Sequence, residues 1–337
     1  MTSRPARPMT VIGAGSWGTA LAIQLAREGH ATRLWGRDGA QLDAMRRARR
    51  NERYLPDAQF PNTLHVVNDL REALEGAGDA LIAVPSHAFR ATLEIINPHL
   101  RCDSRVAWAT KGIEIESGLL PHQVARQVLG SRPSAVLSGP TFAKEVGAGL
   151  PTAMTVASPD ERFAAELALR LSGPTFRAYT QSDITGVEVG GAVKNVIAIG
   201  SGIADGMGFG ANTRVALITR GLAEMMRLGV KLGAARETFM GLAGLGDLVL
   251  TCTDDQSRNR RFGIALGRGR TLAEAQSEIQ QVVEGLPAAR AVHAVAQRLG
   301  VDMPICKEIY RVMHEGKPVR AAVQALMGRE VRSETEN

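Results

Sequence analysis

The chain has 337 residues and a mass of 36.0 kDa, with 45% hydrophobic residues, 22% charged residues and a net charge of +6. That length exceeds the roughly 250–300 residues at which one hydrophobic core stops growing, so two domains are expected, and the composition excludes disorder over most of the chain. The positive charge admits nucleic acid, an anionic surface or anionic metabolites; aromatic residues make up only 4% and do not interleave with the basic clusters, which argues against nucleic acid and leaves small anions.

Cys102, Cys252 and Cys306 are far apart and lack CxxC or Cys/His metal spacing, so they read as reduced thiols in a reducing, cytoplasmic compartment, and no metal site is expected. Arg4 and Arg7 precede an apolar stretch in the manner of a leader, but Gly13, Gly15 and Gly18 break that stretch and suit a strand and turn instead. No run of about 18 uncharged apolar residues occurs, so no membrane insertion is expected.

In chain order, the first half alternates short apolar or β-branched runs with helical segments. Strands are expected at Met9 to Ile12, Thr32 to Trp35, Leu64 to Val67, Ala80 to Val84, Val106 to Ala109, Ala135 to Leu137, Thr152 to Ala157 and Phe176 to Tyr179. This is the pattern of an α/β domain, a mostly parallel sheet with helices on both faces, whose ligands collect beyond the carboxyl ends of the strands. After about Asp183 strands are hard to find, and Leu217 to Met226, Leu272 to Ile279 and Ala288 to Leu299 carry apolar residues at helix spacing. The expected division is residues 1–186 for the α/β domain and 187–337 for an all-α substrate domain, with a polar, frayed tail from Arg329.

The first chemical motif is Gly13-Ala14-Gly15-Ser16-Trp17-Gly18, placed between strand Met9 to Ile12 and the helical run Thr19 to Arg27. One glycine permits the tight turn, the next lets backbone approach a pyrophosphate, and the third lets helix pack on strand. The helix N-terminus then offers free N–H groups and the positive end of its dipole to the phosphates. Strand Thr32 to Trp35 ends in Gly36-Arg37-Asp38: a cation before any acid suits the 2′-phosphate of NADP, while Asp38 keeps NAD open.

Lys111, at the end of the strand through Trp108, and the Ser138-Gly139-Pro140-Thr141-Phe142-Ala143 turn lie on the ligand side of the sheet, where a lysine, hydroxyls and N–H groups can meet an anion or a carbonyl oxygen. A solvated strand-end lysine and a plain turn are the bland alternatives. Lys194 is one cation inside the small-residue apolar segment from Gly190 to Gly200, where a charge is unfavourable without a partner or a task, and it is the candidate catalytic group. The alternative is a lysine whose stem lies along apolar surface and whose head reaches water. Asp247 and the Ser257-Arg258-Asn259 cluster supply a carboxylate and a phosphate-type donor set; the bland alternative is an exposed basic turn, which is expected to hold for Arg260 or Arg261.

Taken together, the segments GAGSWGTALA, ATKGIE, SGPTFAKEV, GGAVKNVIAIGSGIADGMGFGANTRVALITRGLAEM, GLAGLGDLVLTCTDDQSRNRRFG and VVEG resemble the bacterial NAD(P)-dependent glycerol-3-phosphate dehydrogenases, over nearly the whole chain. The resemblance implies a Rossmann-like domain, then a helical substrate domain, an active site between them and a homodimer. It also implies that Ser16, Trp17, Arg37, Lys111, Ala143, Arg258, Val282 and Glu284 contact the cofactor. Lys111, Gly139, Thr141, Lys194, Asp247, Ser257, Arg258 and Asn259 would form the substrate site, with Lys194 in the catalytic place.

Reduction of dihydroxyacetone phosphate to sn-glycerol 3-phosphate, the step such enzymes supply to phospholipid synthesis, needs hydride at the carbonyl carbon and a proton at its oxygen. Lysine, with an ordinary pKa of about 10.4, carries that proton at neutral pH. The residues alone leave open a dehydrogenase of a hydroxy acid, since Arg and Lys bind carboxylates as readily, and a non-catalytic dinucleotide sensor.

Overall fold

Strands buried on both faces read as continuous apolar runs, and the first half of the chain folds accordingly. The computed structural model describes residues 8–279, 281–330 and 333. They form two compact units: one holds the residues up to Lys111 together with Pro121–Ile184, and the other holds Gly112–Leu120 and the residues from Thr185 on. The chain therefore visits the second unit once before its main crossing, which a single boundary at 186 does not describe. Residues 1–7, with Arg4 and Arg7, and tail residues 331–332 and 334–337 lie outside the described residues.

The first unit runs β1 (Met9–Ile12), α1 (Ser16–Arg27), β2 (Thr32–Trp35), α2 (Gly39–Ala48), β3 (Arg50–Asn51), β4 (Leu55–Gln59), β5 (Leu64–Val66) and α3 (Leu70–Leu74). It continues with β6 (Asp79–Ile82), α4 (Phe89–Ile96), β7 (Arg105–Trp108), α5 (Pro121–Leu129), β8 (Ser134–Ser138), α6 (Ala143–Ala148), β9 (Thr152–Ala157), α7 (Glu161–Leu171) and β10 (Phe176–Gln181). Eight strands, those expected from the sequence, make one sheet in the order β10-β9-β8-β7-β6-β1-β2-β5. Val11, Leu81, Ala107 and Leu137 share one core with Leu21 and Ile23 of α1 and with Phe163 and Leu167 of α7. On β7, Trp108 meets Phe89 of α4 edge-on, with ring centroids 5.6 Å apart.

Pairing is parallel from β5 through to β8, but β9 runs antiparallel to β8. The cause is the connection: α6 has six residues, about 9 Å of helix, too short to carry the chain back along a five-residue strand of about 17 Å. The β3–β4 hairpin was not foreseen, because Arg50, Glu52, Arg53, Pro56 and Asp57 hide any alternation of apolar and polar residues.

The second unit is helical: α8 (Ile184–Gly206), α9 (Ala211–Lys231), α10 (Asp247–Thr253), α11 (Arg258–Gly267), α12 (Leu272–Ile279), α13 (Gly285–Leu299), α14 (Pro304–His314) and α15 (Val319–Met327). A π-helical turn at Leu242–Gly246 leads into α10. By length and composition α8 suffices to cross a membrane, but its apolar window is wholly buried within the protein. Its small residues are there for close packing. A Cβ on Gly190 would press on the Ala243 carbonyl, and one on Gly202 on that of Arg260, so α8 sits directly against the backbone of the π-helical turn that leads into Asp247 and of α11, which carries Arg258.

Candidate functional site

The expected site residues fall into two groups, one in each unit. In the first unit, the Gly-rich turn shows why each glycine is needed. Gly13 has φ +120, and a Cβ there would lie 2.5 Å from the Ala83 carbonyl oxygen; a Cβ on Gly18 would overlap the Gly13 carbonyl. Gly15 differs, because among the described residues nothing beyond its own stretch of chain lies within 4 Å of its Cβ position. The protein thus leaves open the one flank through which a pyrophosphate would approach backbone.

Gly15 is the N-cap of α1, with no capping side chain and no acid in the first turn, so the first N–H groups of the helix and its positive dipole end remain available to an anion. Ser16 and Trp17 open the helix, and the indole Nε1 of Trp17 is buried without a hydrogen-bond partner among the described residues. The turn is braced from behind by two residues that carry no sequence signal: Gln41 and Asn51 both donate to the Ala14 carbonyl, at 3.0 and 3.1 Å, and Asn51 also donates to Thr19 Oγ1 at 2.8 Å. Asn51 reaches the turn only through the unforeseen hairpin.

Beyond β2, Arg37 is exposed and does not pair with Asp38, whose carboxylate instead caps α2 by accepting from Gln41 N at 3.1 Å. At the ends of β7 and β8, Lys111 Nζ and Thr141 Oγ1 converge on the Gly139 carbonyl at 3.5 and 3.2 Å. Gly139 has φ +151 and lies against Met154, where a Cβ would come within 3.0 Å of Cα. Beside them, the buried Ser138 Oγ has no hydrogen-bond partner among the described residues, and Ala143 begins α6. The open flank of Gly15, the uncapped α1 and the orphaned indole fit a dinucleotide phosphate.

In the second unit, Lys194 on α8 is buried, 7% exposed, which removes the alternative of a head reaching water. Its Nζ lies 2.5 Å from Asp247 Oδ1 at the start of α10 and donates to Thr251 Oγ1 at 3.0 Å; Thr251 in turn donates to the Asp247 carbonyl. Asp247 is 1% exposed. A buried ammonium is tolerable only with such a partner, and Asp247 supplies it. Next to this pair, burial pushes the Cys252 thiol up to about 12, which leaves it inert as a nucleophile.

Ser257 is the N-cap of α11, its Oγ accepting from Arg260 N at 3.2 Å, and half-buried Arg258 is the first residue of that helix. Of the two arginines between which the exposed position was left open, Arg261 takes it, whereas Arg260 is buried against Asp205, at 2.7 Å, and Asp255. The two were indistinguishable in the sequence because only helix phase, fixed by the Ser257 cap, turns one inward. Asn259 is buried and tied to Glu284 through Asn195, whose residue type gives no hint of that task, while Val282 is exposed.

The family model for the NAD-dependent glycerol-3-phosphate dehydrogenase N-terminus matches residues 8–164, and that for the C-terminus matches residues 183–324. Glycerol-3-phosphate dehydrogenase [NAD(P)+] of Edwardsiella ictaluri is 58% identical over 332 residues, 98% of either chain, and that of Vibrio cholerae is 56% identical over 328 residues, 97% of this chain and 95% of the relative. The crystal structure of the Coxiella burnetii glycerol-3-phosphate dehydrogenase is 49% identical and superposes with a TM-score of 0.93 over 96% of this chain and 99% of that one. With both halves matched and relatives above half identity along almost its full length, the chain belongs to the NAD-dependent glycerol-3-phosphate dehydrogenase family.

Proposed function

We propose that the protein catalyses the reversible, NAD(P)H-dependent reduction of dihydroxyacetone phosphate to sn-glycerol 3-phosphate, a precursor for glycerophospholipids. One observation carries the mechanism: a buried ammonium, Lys194, fixed between a carboxylate and a hydroxyl. The α/β unit chiefly serves the dinucleotide and the helical unit chiefly the substrate. The open flank of Gly15, Ser16, Trp17 and Gly18 at the start of α1 would receive the pyrophosphate, with Lys111, Ala143, Arg258, Val282 and Glu284 as further cofactor contacts. NADP is the preferred dinucleotide, because exposed Arg37 suits a 2′-phosphate and Asp38 is engaged as a cap. The protein acts in the cytoplasm as a homodimer.

The bound dinucleotide supplies the hydride. Lys194 Nζ donates the proton to the carbonyl oxygen of the substrate, and the adjacent carboxylate of Asp247 favours the charged form and aims it. Arg258, at the N-terminus of α11 with Ser257, holds the phosphate, and Asn259, Lys111, Gly139 and Thr141 bind the rest of the substrate.

The test is to follow NADPH and NADH absorbance with purified protein and dihydroxyacetone phosphate, then with a panel of oxo acids. Turnover with dihydroxyacetone phosphate alone supports the reading; comparable kcat/KM with an oxo acid overturns it in favour of a hydroxy-acid dehydrogenase.

A further inference from the structure

Asn195 follows Lys194 on α8 and is 3% exposed. Its hydrogen bonds form a ring with one direction. The backbone N–H of Gly285 donates to Asn259 Oδ1 at 2.9 Å, so Asn259 presents its Nδ2 to Asn195 Oδ1, at 2.8 Å. Asn195 is then left with Nδ2, which donates to Gly191 O of its own helix at 3.3 Å and to Glu284 Oε2 at 3.4 Å. Glu284 adjoins Gly285, which closes the ring. No side chain fits at the closure: a Cβ on Gly285 would lie 2.7 Å from the Asn195 carbonyl and 2.9 Å from Asn259 Oδ1.

Two of the three participating side chains adjoin a group of the site, Asn195 next to Lys194 and Asn259 next to Arg258, and the third, Glu284, is the N-cap of α13. The two amides are buried and Glu284 is half-buried, and the ring admits one orientation of each amide, since reversing either sets donor against donor or acceptor against acceptor. We propose that Asn195 is a positioning residue which, through this ring, fixes the start of α11 and its phosphate-binding Arg258 relative to the ammonium of Lys194. This rests on the reading of Lys194 and Arg258 as substrate groups.

The direction of the ring gives the test. Asn195→Asp removes the donor facing Glu284 and sets two carboxylates together; Glu284→Gln in the same chain restores a donor, with that one bond reversed. The protein saturated with NADPH is titrated calorimetrically with sn-glycerol 3-phosphate, a pair that cannot react, and melting temperatures are recorded alongside. Asn195→Asp is expected to weaken binding about tenfold, and in the Glu284→Gln background the same change to weaken it by no more than about threefold relative to Glu284→Gln alone. A merely structural ring would lower the melting temperature and leave the affinity of the folded protein unchanged. Equal affinity in Asn195→Asp overturns the proposal, as does a double variant that regains stability but not affinity. Failure of the unaltered protein to bind sn-glycerol 3-phosphate would instead overturn the functional reading, and the proposal with it.

Discussion

The Nζ of Lys194 lies 2.5 Å from Oδ1 of Asp247, with both side chains withdrawn from solvent. Such a pair ties the stability of the fold to the proposed catalytic lysine, because neither charge is tolerable without the other. Lys194→Met should abolish turnover and also strand the carboxylate of Asp247, at a loss of about 3–5 kcal/mol in chemical denaturation. Adding Asp247→Leu should recover most of that stability and none of the turnover. Dinucleotide affinity, measured by fluorescence titration, should stay near the unaltered value throughout; turnover within a few-fold of normal in Lys194→Met would remove the lysine from the mechanism.

The glycines of the first turn should separate by role. Gly15→Ala has space and an ordinary φ of −79, so its stability should change by less than about 1 kcal/mol while dinucleotide affinity falls about tenfold or more. Gly13→Ala must adopt φ +120 against the Ala83 carbonyl, and should lose more than about 2 kcal/mol whether or not cofactor is present. Denaturation curves with and without NADPH distinguish the two.

Arg37→Ser should raise KM for NADPH about tenfold and leave KM for NADH nearly unchanged, since only the 2′-phosphate loses a charge-assisted partner. Asp38→Ala should act on the fold, removing the cap of α2 at about 1 kcal/mol without inverting the cofactor preference. Steady-state kinetics with both dinucleotides decide it; a preference for NADH in the unaltered protein would refute the role given to Arg37.

Glu224 gives the stability a pH dependence. Its carboxyl is 1% exposed and burial pushes it up to about 7, against the lowering influence of the N–H groups of Cys306 and Ile305 that it accepts at the start of α14. The folded state therefore holds this proton where the unfolded chain, with a carboxyl near pKa 4.3, has released it. Stability should fall as pH rises from about 4.5 to 7 and then level off, with a contribution of order 3 kcal/mol from this group. Urea unfolding between pH 5 and 8 should show a shallower decline in Glu224→Gln; an identical slope would exclude Glu224 as its source.

Periodicity exposed the eight strands of the sheet because a strand buried on both faces leaves an unbroken apolar run, and the long helices because their apolar residues recur with helical spacing. The reversal of β9 was not visible, since strand direction follows from how far a six-residue helix can carry the chain rather than from the strand's own composition. Asn51 was missed for a related reason: its hairpin has no alternation, and its partners Ala14 and Thr19 are more than thirty positions away.

The chemistry divides the same way. Gly13, Gly15, Gly18, Arg37, Lys194, Asp247 and Arg258 were legible because each is a residue type whose chemistry is conspicuous in its local setting: glycines between strand and helix, a cation in an apolar helix, an arginine beside hydroxyl and amide donors. Asn195, Thr251 and the inward turn of Arg260 were decided only by tertiary structure. Their partners lie between 4 and 89 residues away along the chain, and an amide or hydroxyl acquires a specific task only once packing has excluded water and fixed which donor faces which acceptor.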